Sequence, residues 1–432
     1  MDDTNLAQIP PYTTIDFATL AQKNQAFKQI YDSSSSQLDF QDPITILTLS
    51  QAILQSDFNL TLSLPGDRLC PPIPNRWNYV SWIQHLLDST SPSYSNTYDP
   101  SRRVVGLDIG TGASAIYTML CLRSRPNWTM CATDIDKKSF DSAVRNLTVN
   151  GLVTWTKMLQ TIPENSLIPL RALGVEKLDF TICNPPFFTD AKDMHASLKG
   201  EGKSSQPNAV CTGAKVEMVC PGGDLGFVTR MVEESLVLRD KVTWYTSMLG
   251  KLESAKAVIK LLQRHGIDNW AVGVIDVGAG GGTKRWVVAW SFGDLRPRQS
   301  VARIEKIANE YLPFPTEYRI EMPEGVDVEV AAEKVDGQLK GLDLRWERDK
   351  KRLVGIGEAG EVVWNRAYRR VLEKRRKQAT EMGQEGEKKV VFAFRVKVLR
   401  EERVVVVEWL RGKDQVIWES FCGMLHRVFK KF

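Results

Sequence analysis

The tetrapeptide Asn184-Pro185-Pro186-Phe187 carries the most specific chemistry in the chain, because it follows an apolar run at 178–183 that reads as a buried strand. Two consecutive prolines remove two backbone donors and stiffen the turn. The Asn184 side-chain oxygen and the Pro185 carbonyl can then face outward together as acceptors. A planar amine whose lone pair is delocalised is a weak nucleophile. Two acceptors on its N–H groups orient it and return electron density to the nitrogen. Where the electrophile is an already activated methyl group, in-line transfer needs positioning more than it needs a base. Phe187, together with Phe188, offers a ring face on which a base can stack. The bland alternative is a proline-rich loop after a strand.

A second constellation lies upstream. Val104-Val105-Gly106-Leu107-Asp108-Ile109-Gly110-Thr111-Gly112 reads as a strand running into a glycine turn. In an open α/β sheet a ligand sits at the carboxyl ends of the strands, where glycine lets it approach the backbone. The spacing is Gly-x-Asp-x-Gly-x-Gly rather than the Gly-x-Gly-x-x-Gly of dinucleotide sites, and no Lys-Ser/Thr follows to grip a phosphate. An acid just ahead of the turn suits a ligand with an amino group. One strand later, Ala132-Thr133-Asp134 places a carboxylate where it can accept both hydroxyls of a ribose. Together these features point to S-adenosylmethionine, with S-adenosylhomocysteine as product. A capped tight turn is the structural alternative.

Those residues need a frame. Residues 1–40 are polar, with a helix over about 17–31, and Ile46, Leu47, Ile53 and Leu54 recur at helical spacing within 42–58. The proline-rich stretch 65–78 reads as loop and 79–87 as helix. Strands at 104–108, 129–133, 178–183 and 242–249 alternate with helices at 115–122, 137–150, 225–238 and 252–265. Strands at 270–277 and 285–292, joined by glycines, form an antiparallel hairpin closing a mostly parallel sheet. The polar stretch 189–223 is long for a structureless loop, which marks it as a mobile functional segment. This alternation predicts an α/β fold, an open sheet with helices on both faces. Beyond 294 the pattern changes to a separate α+β unit, with strands at 390–399 and 403–410 and a final helix at 415–429. The expected division is an N-terminal helical arm and substrate-binding region at 1–90, a catalytic domain at 91–295 and a basic accessory domain at 296–432.

Composition agrees with that division. A chain of 432 residues, 43% apolar and 25% charged, has the balance of a globular protein of two or three domains and excludes a fibrous or wholly disordered one. No window offers the roughly 18 consecutive apolar residues of a spanning helix, and the acidic, polar start does not resemble a secretory signal. Seven scattered cysteines without a Cys-x-x-Cys predict reduced thiols in cytosol or nucleus. With only four histidines, none near a cysteine pair, no metal site is expected. The net charge is +7 from Arg296 onward and −2 before it. Arg366, Arg369, Arg370, Lys374, Arg375, Arg376 and Lys377 make the densest basic run, suited to tracking phosphates, although a solvated face or an import signal has the same composition. Lys192, Lys199, Lys203 and Lys215 in the 189–223 segment could order over a bound polyanion.

With these motifs in place, the chain resembles the methyltransferase-like protein 16 family over about residues 9–294. The likeness includes Asp39-Phe40-Gln41-Asp42-Pro43, Pro74-Asn75-Arg76-Trp77-Asn78-Tyr79, Asp108-Ile109-Gly110-Thr111-Gly112-Ala113-Ser114 and Asn184-Pro185-Pro186-Phe187-Phe188. It continues through Cys211-Thr212-Gly213, Trp244-Tyr245, Met248-Leu249-Gly250-Lys251 and Arg285-Trp286. The resemblance implies a Rossmann-like class I methyltransferase fold and an S-adenosylmethionine-dependent RNA adenosine-N6 methyltransferase. It implies that Arg76 holds the methionine carboxylate of the cofactor, that Gly110 passes close to it, that Asp134 binds the ribose and that Asn184 through Phe187 hold the target adenine. Ser166, or Asn165 beside it, falls near a position contacting the cofactor adenine. Gln41 stands where relatives carry Lys, and Gly282 where they carry an Arg ahead of Arg285; Lys284 is placed to compensate.

The substrate implied is a structured RNA, chiefly a U6 small nuclear RNA hairpin with an ACAGA-type sequence. S-adenosylmethionine synthetase transcripts are a further target in some members. A monomer is expected, with no membrane or metal partner, acting in the nucleus and secondarily in the cytoplasm. Three rival readings stand beside it: ribosomal-RNA adenine methylation, methylation of a protein glutamine amide, and a non-catalytic RNA-binding protein with a vestigial cofactor site.

Overall fold

The structure, a computed structural model, describes residues 9–34, 38–198, 213–277, 284–303, 306–311, 315–365, 368, 370 and 389–430. The chain divides into two compact units, one formed by Met1–Leu87, Tyr98–Gly293 and Glu305–Tyr311, the other by Asp88–Thr97, Asp294–Ile304 and Leu312–Phe432.

The first unit opens with helices α1 (Phe17–Lys23), α2 (Gln25–Ser33), α3 (Pro43–Phe58) and α4 (Ile73–Ser89). The single helix expected over 17–31 is broken because the Asn24 side chain accepts from the Phe27 N–H at 3.0 Å and so caps a new helix. Asp42 caps α3 by accepting from the Ile44 and Thr45 amides, with Pro43 in the first turn. The expectation of loop through 65–78 fails at its end. Helix α4 begins at Ile73, since Pro74 falls in the first turn, where a missing N–H costs no helical bond. That places Arg76 and Trp77 on a helix. Trp77 is buried edge-on to Phe58, with ring centroids 5.0 Å apart, and its indole N–H donates to the Pro10 carbonyl at 3.1 Å.

The sheet follows: β1 (Val104–Ile109), α5 (Ile116–Ser124), β2 (Trp128–Asp134), α6 (Lys137–Val149), β3 (Thr156–Gln160), α7 (Leu170–Leu173) and β4 (Leu178–Cys183). Next come α8 (Ala191–Leu198), α9 (Lys215–Met218), α10 (Gly223–Leu238), β5 (Val242–Leu249), α11 (Leu252–Arg264), β6 (Asn269–Ile275) and β7 (Arg285–Ser291). Two short helices, α12 (Gln299–Ala302) and α13 (Lys306–Tyr311), follow; α13 belongs to the first unit and α12 to the second. The strand order is β3-β2-β1-β4-β5-β7-β6, parallel except for β7, which runs antiparallel to both neighbours. Strand β3 went unread because its half-exposed residues lie at an edge and lack an apolar run. Within 189–223, the described residues form α8 and α9 rather than continuous loop.

The second unit holds β8 (Glu317–Glu321), α14 (Val328–Lys340), β9 (Arg345–Asp349), β10 (Val354–Ala359), β11 (Phe392–Leu399), β12 (Val404–Arg411) and α15 (Gln415–Phe429). Its five strands are antiparallel in the order β8-β12-β11-β10-β9. Phe392, Phe394 and Trp409 from the sheet meet Trp418, Phe421 and Leu425 of α15 and Val335 and Leu339 of α14 in one core. Trp409 and Trp418 stack at 5.5 Å with their planes 9° apart. Of the basic run at 366–377, only Tyr368 and the exposed Arg370 are among the described residues; Arg366, Arg369, Lys374, Arg375, Arg376 and Lys377 lie outside them.

In β1, a Cβ on Gly106 would lie 2.4 Å from the Phe180 ring and 2.7 Å from Met130 Sδ, so side chains from both flanking strands fill the space that glycine leaves. Overpacking of this kind costs about 1–3 kcal/mol. Gly106→Val is therefore expected to lower the urea midpoint of unfolding without changing the denaturant slope. An unchanged midpoint would show that the two side chains yield freely.

Candidate active site

Three adjacent strands end together. The β1 register pairs Ile109 with Thr133 on one side and with Cys183 on the other, so Asp134 and Asn184 follow at the same level of the sheet. With strands roughly 4.8 Å apart, the two residues flank the β1 turn at about 10 Å from each other. This is also where connections reverse direction across the sheet, the position at which open α/β sheets bind ligands.

Asp108 is fully buried at the end of β1. Its Oδ2 accepts from the Thr111 hydroxyl at 2.7 Å and the Thr118 hydroxyl at 2.9 Å, while Oδ1 has no partner among the described residues. Burial pushes its carboxyl up to about 6, against the pull of those two hydroxyls. Gly110 and Gly112 turn the chain at φ +68° and +64°; a Cβ on Gly110 would meet nothing within 4 Å. Asp134 is likewise buried and its carboxyl raised. Its Oδ2 accepts from the Gly112 N–H and its Oδ1 from the Asp136 N–H, each at 2.8 Å.

Arg76, from α4, donates to Asn184 Oδ1 at 3.4 Å and lies 5.6 Å from the centre of the Tyr117 ring. Burial of the motif on its other side depends on glycines. A Cβ on Gly223, at φ +61°, would lie 3.0 Å from the Phe187 carbonyl, and one on Gly250 would lie 3.0 Å from Phe187 Cδ1. Asp224 secures that corner, accepting from the Gly250 N–H at 2.7 Å and the Ser254 hydroxyl at 2.8 Å. Phe188 is tied into backbone: its N–H donates to the Met218 carbonyl and its carbonyl accepts from the Cys220 N–H, both at 3.0 Å.

One cavity of about 510 Å³ is lined by Arg76, Gly110, Thr111, Gly112, Asp134, Ser166, Asn184, Pro185 and Pro186 among others. Ser166 donates its hydroxyl to Glu234 at 2.6 Å and stands on the rim with Asn165. Arg285 lies over the Phe187 ring at 5.0 Å from its centre, and burial, with Arg76 second, brings its guanidinium down to about 10. Lys284 pairs with Asp276 at 3.2 Å. Gln41 is exposed, with its N–H on Asp39. Lys203 and Gly282 lie outside the described residues. Sequence reasoning missed Glu217, Tyr117 and Asp224. Glu217 is an isolated acid in a polar stretch; the glycine pair ahead of Asp224 was the one usable signal. Among the described residues, no helix is long and apolar enough to cross a membrane, and no three potential metal ligands cluster.

The strand order, the glycine turn after β1, the acid after β2 and Asn-Pro-Pro-Phe after β4 define a Rossmann-like class I methyltransferase. A family profile described as RNA methyltransferase matches residues 12–294, and the chain belongs to that family. A relative from Schizosaccharomyces pombe, the U6 small nuclear RNA (adenine-(43)-N(6))-methyltransferase, is 32% identical over 92% of this chain and 96% of its own length. The crystal structure of the hMettl16 catalytic domain in complex with MAT2A 3'UTR hairpin 1 is 33% identical, covers 64% of this chain and 91% of its own, and has a TM-score of 0.55. The N-terminal domain of human METTL16 in complex with SAH is 30% identical, covers 68% and 98%, and has a TM-score of 0.51. The chain spans about half the length of the full human METTL16 sequence.

Because Gly250 leaves the Phe187 ring its place, Gly250→Val is expected to displace that ring. Methyl transfer should fall at least tenfold while the far-UV spectrum and the unfolding midpoint stay near wild type. Full activity in the variant would show that the ring's position does not matter.

Proposed function

We propose that the protein transfers a methyl group from S-adenosylmethionine to N6 of an adenosine in structured RNA, chiefly a U6 small nuclear RNA hairpin at an ACAGA-type sequence. The observation that carries this reading is that Asn184, Pro185, Arg76 and the buried carboxylate Asp108 border one cavity or the turn that forms it. The fission yeast relative, similar over almost its whole length, supports U6 as the RNA. A nuclear site of action follows from that substrate.

The cavity suits the cofactor, which supplies a methyl group made electrophilic by its sulfonium. Asp108 Oδ1, buried and without a donor, is positioned to accept from an ammonium group. Arg76 pairs with a carboxylate, and the open space at Gly110 lets the ligand lie against backbone. Asp134 keeps a lone pair beside each bonded N–H and can accept from the ribose, with Ser166 and Asn165 at the adenine end.

Asn184 Oδ1 and the Pro185 carbonyl then accept the two N6 hydrogens of an adenine taken out of its stack. Phe187 supplies the stacking face, and the transferred amine loses its extra proton to water. Arg285, desolvated against Phe187, holds that ring from the side opposite the base and presents charge to the RNA backbone. Phe188, Lys284 and Lys203 extend the contact surface. In the second unit, Arg366, Arg369, Arg370, Lys374, Arg375, Arg376 and Lys377 add affinity for phosphates without reading bases.

The reading is tested with purified protein, labelled S-adenosylmethionine and a U6 hairpin carrying the ACAGA box, beside a hairpin with only the candidate adenine replaced. Label on the first RNA alone, recovered as N6-methyladenosine, is the expected result. Asn184→Ala should abolish that label and leave cofactor binding within a few-fold. Label on neither RNA, or label retained by the variant, would overturn the assignment.

The buried acid sets a pH dependence. A carboxyl raised to about 6 is ionised at pH 7 and takes up its proton as pH falls through 6. S-adenosylhomocysteine, through its ammonium group, should therefore bind progressively more weakly below pH 6, and Asp108→Asn should bind weakly at every pH with that inflection gone. Titration calorimetry across pH 5–8 reads both, and an inflection that survives in the variant would assign it elsewhere.

A further inference from the structure

A second carboxylate faces the same cavity. Glu217, on α9, accepts with Oε2 from the Leu69 N–H at 3.0 Å and the Ala214 N–H at 2.8 Å. Those two bonds are what a purely structural acid would make. Its Oε1 accepts no hydrogen bond among the described residues and lies 3.8 Å from the place a Cβ on Gly112 would occupy. Gly112 in turn donates its N–H to Asp134. Two carboxylates thus flank one glycine that has room for a ligand on its open side. The Asp134 charge adds to burial in raising the Glu217 carboxyl, so they are close enough to repel. The nearby cation, Arg68, is engaged with Asp67, Asp136 and Ser139.

Two acids beside one another in a half-buried cleft are relieved by donors placed between them. A ribose presents two vicinal hydroxyls, each with one hydrogen to donate. Both Asp134 oxygens already hold a backbone N–H, whereas Glu217 Oε1 is uncommitted. We propose that Glu217 is a second ribose-binding residue, taking one hydroxyl of the cofactor while Asp134 takes the other. This rests on the reading of the cavity as an S-adenosylmethionine site. It makes the 213–218 segment part of the cofactor site as well as a neighbour of Phe188.

The test uses the full chain, titration calorimetry and three probes: S-adenosylhomocysteine and its 2′-deoxy and 3′-deoxy forms. Glu217→Gln keeps an oxygen for the Leu69 and Ala214 amides and replaces the cavity-facing acceptor with a neutral donor. Loss of one charge-assisted hydrogen bond should weaken S-adenosylhomocysteine roughly tenfold. One of the two deoxy compounds should then bind the variant as tightly as S-adenosylhomocysteine does, while the other still shows its wild-type deficit. Without ligand, the variant should unfold at or above the wild-type temperature, because a like-charge repulsion has gone. Equal deficits for both deoxy compounds in variant and wild type would overturn the assignment, as would a lowered ligand-free midpoint with unchanged affinity. Failure of the wild type to bind S-adenosylhomocysteine would overturn the cofactor reading itself, and this inference with it.

Discussion

One desolvated carboxylate governs the geometry around it. Asp108 lies at the last but one position of β1, an interior strand, with no exposed surface, and a buried charge is tolerated only where its oxygens meet donors. Two threonine hydroxyls satisfy one oxygen. To bring Thr111 back onto the carboxylate only three residues later, the chain turns at Gly110 through left-handed backbone. That turn brings the Gly112 N–H to Asp134 and so ties the end of β2 to the end of β1. The remaining oxygen has no partner among the described residues. The arrangement of turn, neighbouring acid and open cleft follows from satisfying this single group.

The parts of this site that could be read from residues alone were those with local signatures. Strands buried on both faces show as apolar runs, and β1, β2, β4 and β5 were legible for that reason. The glycine turn and the paired prolines impose backbone conformations that few other residues allow. What escaped was set by distant contacts. Helix α4 starts inside a proline-rich stretch because only its first turn tolerates Pro74, and whether a helix begins there depends on Trp77 finding Phe58 and Pro10. Glu217 owes its place to the Leu69 amide, far away in sequence. Arg285 could be singled out as a cation for RNA, but not as the partner of the Phe187 ring.

In the second unit, the sequence exposed the terminal hairpin and helix and concealed the rest. Strand β9 reads Arg345-Trp346-Glu347-Arg348-Asp349, four charges around one tryptophan, which has the composition of a surface loop. The sheet is nevertheless closed on one face by α14 and α15, and on the other carries a buried ionic group in which Arg395 and Lys397 meet Glu408 at 2.6 and 2.5 Å. Both cations hold the Glu408 carboxyl below its usual range despite burial. Some of the basic excess in this half of the chain is therefore spent inside the fold, and a net charge counted from sequence overstates what is presented to a polyanion.

The pairing of Phe188 with Met218 and Cys220 has a consequence for how the protein can vary. It clamps both ends of the intervening excursion side by side, directly beside the Asn184–Phe187 turn. Substitutions at 218–220 therefore reach the Asn-Pro-Pro-Phe turn through the main chain as well as through side chains. Sequence change within the excursion is thus bounded at both ends, by the main-chain bonds of Phe188 and by the Glu217 carboxylate that ties the returning segment to the Leu69 and Ala214 amides.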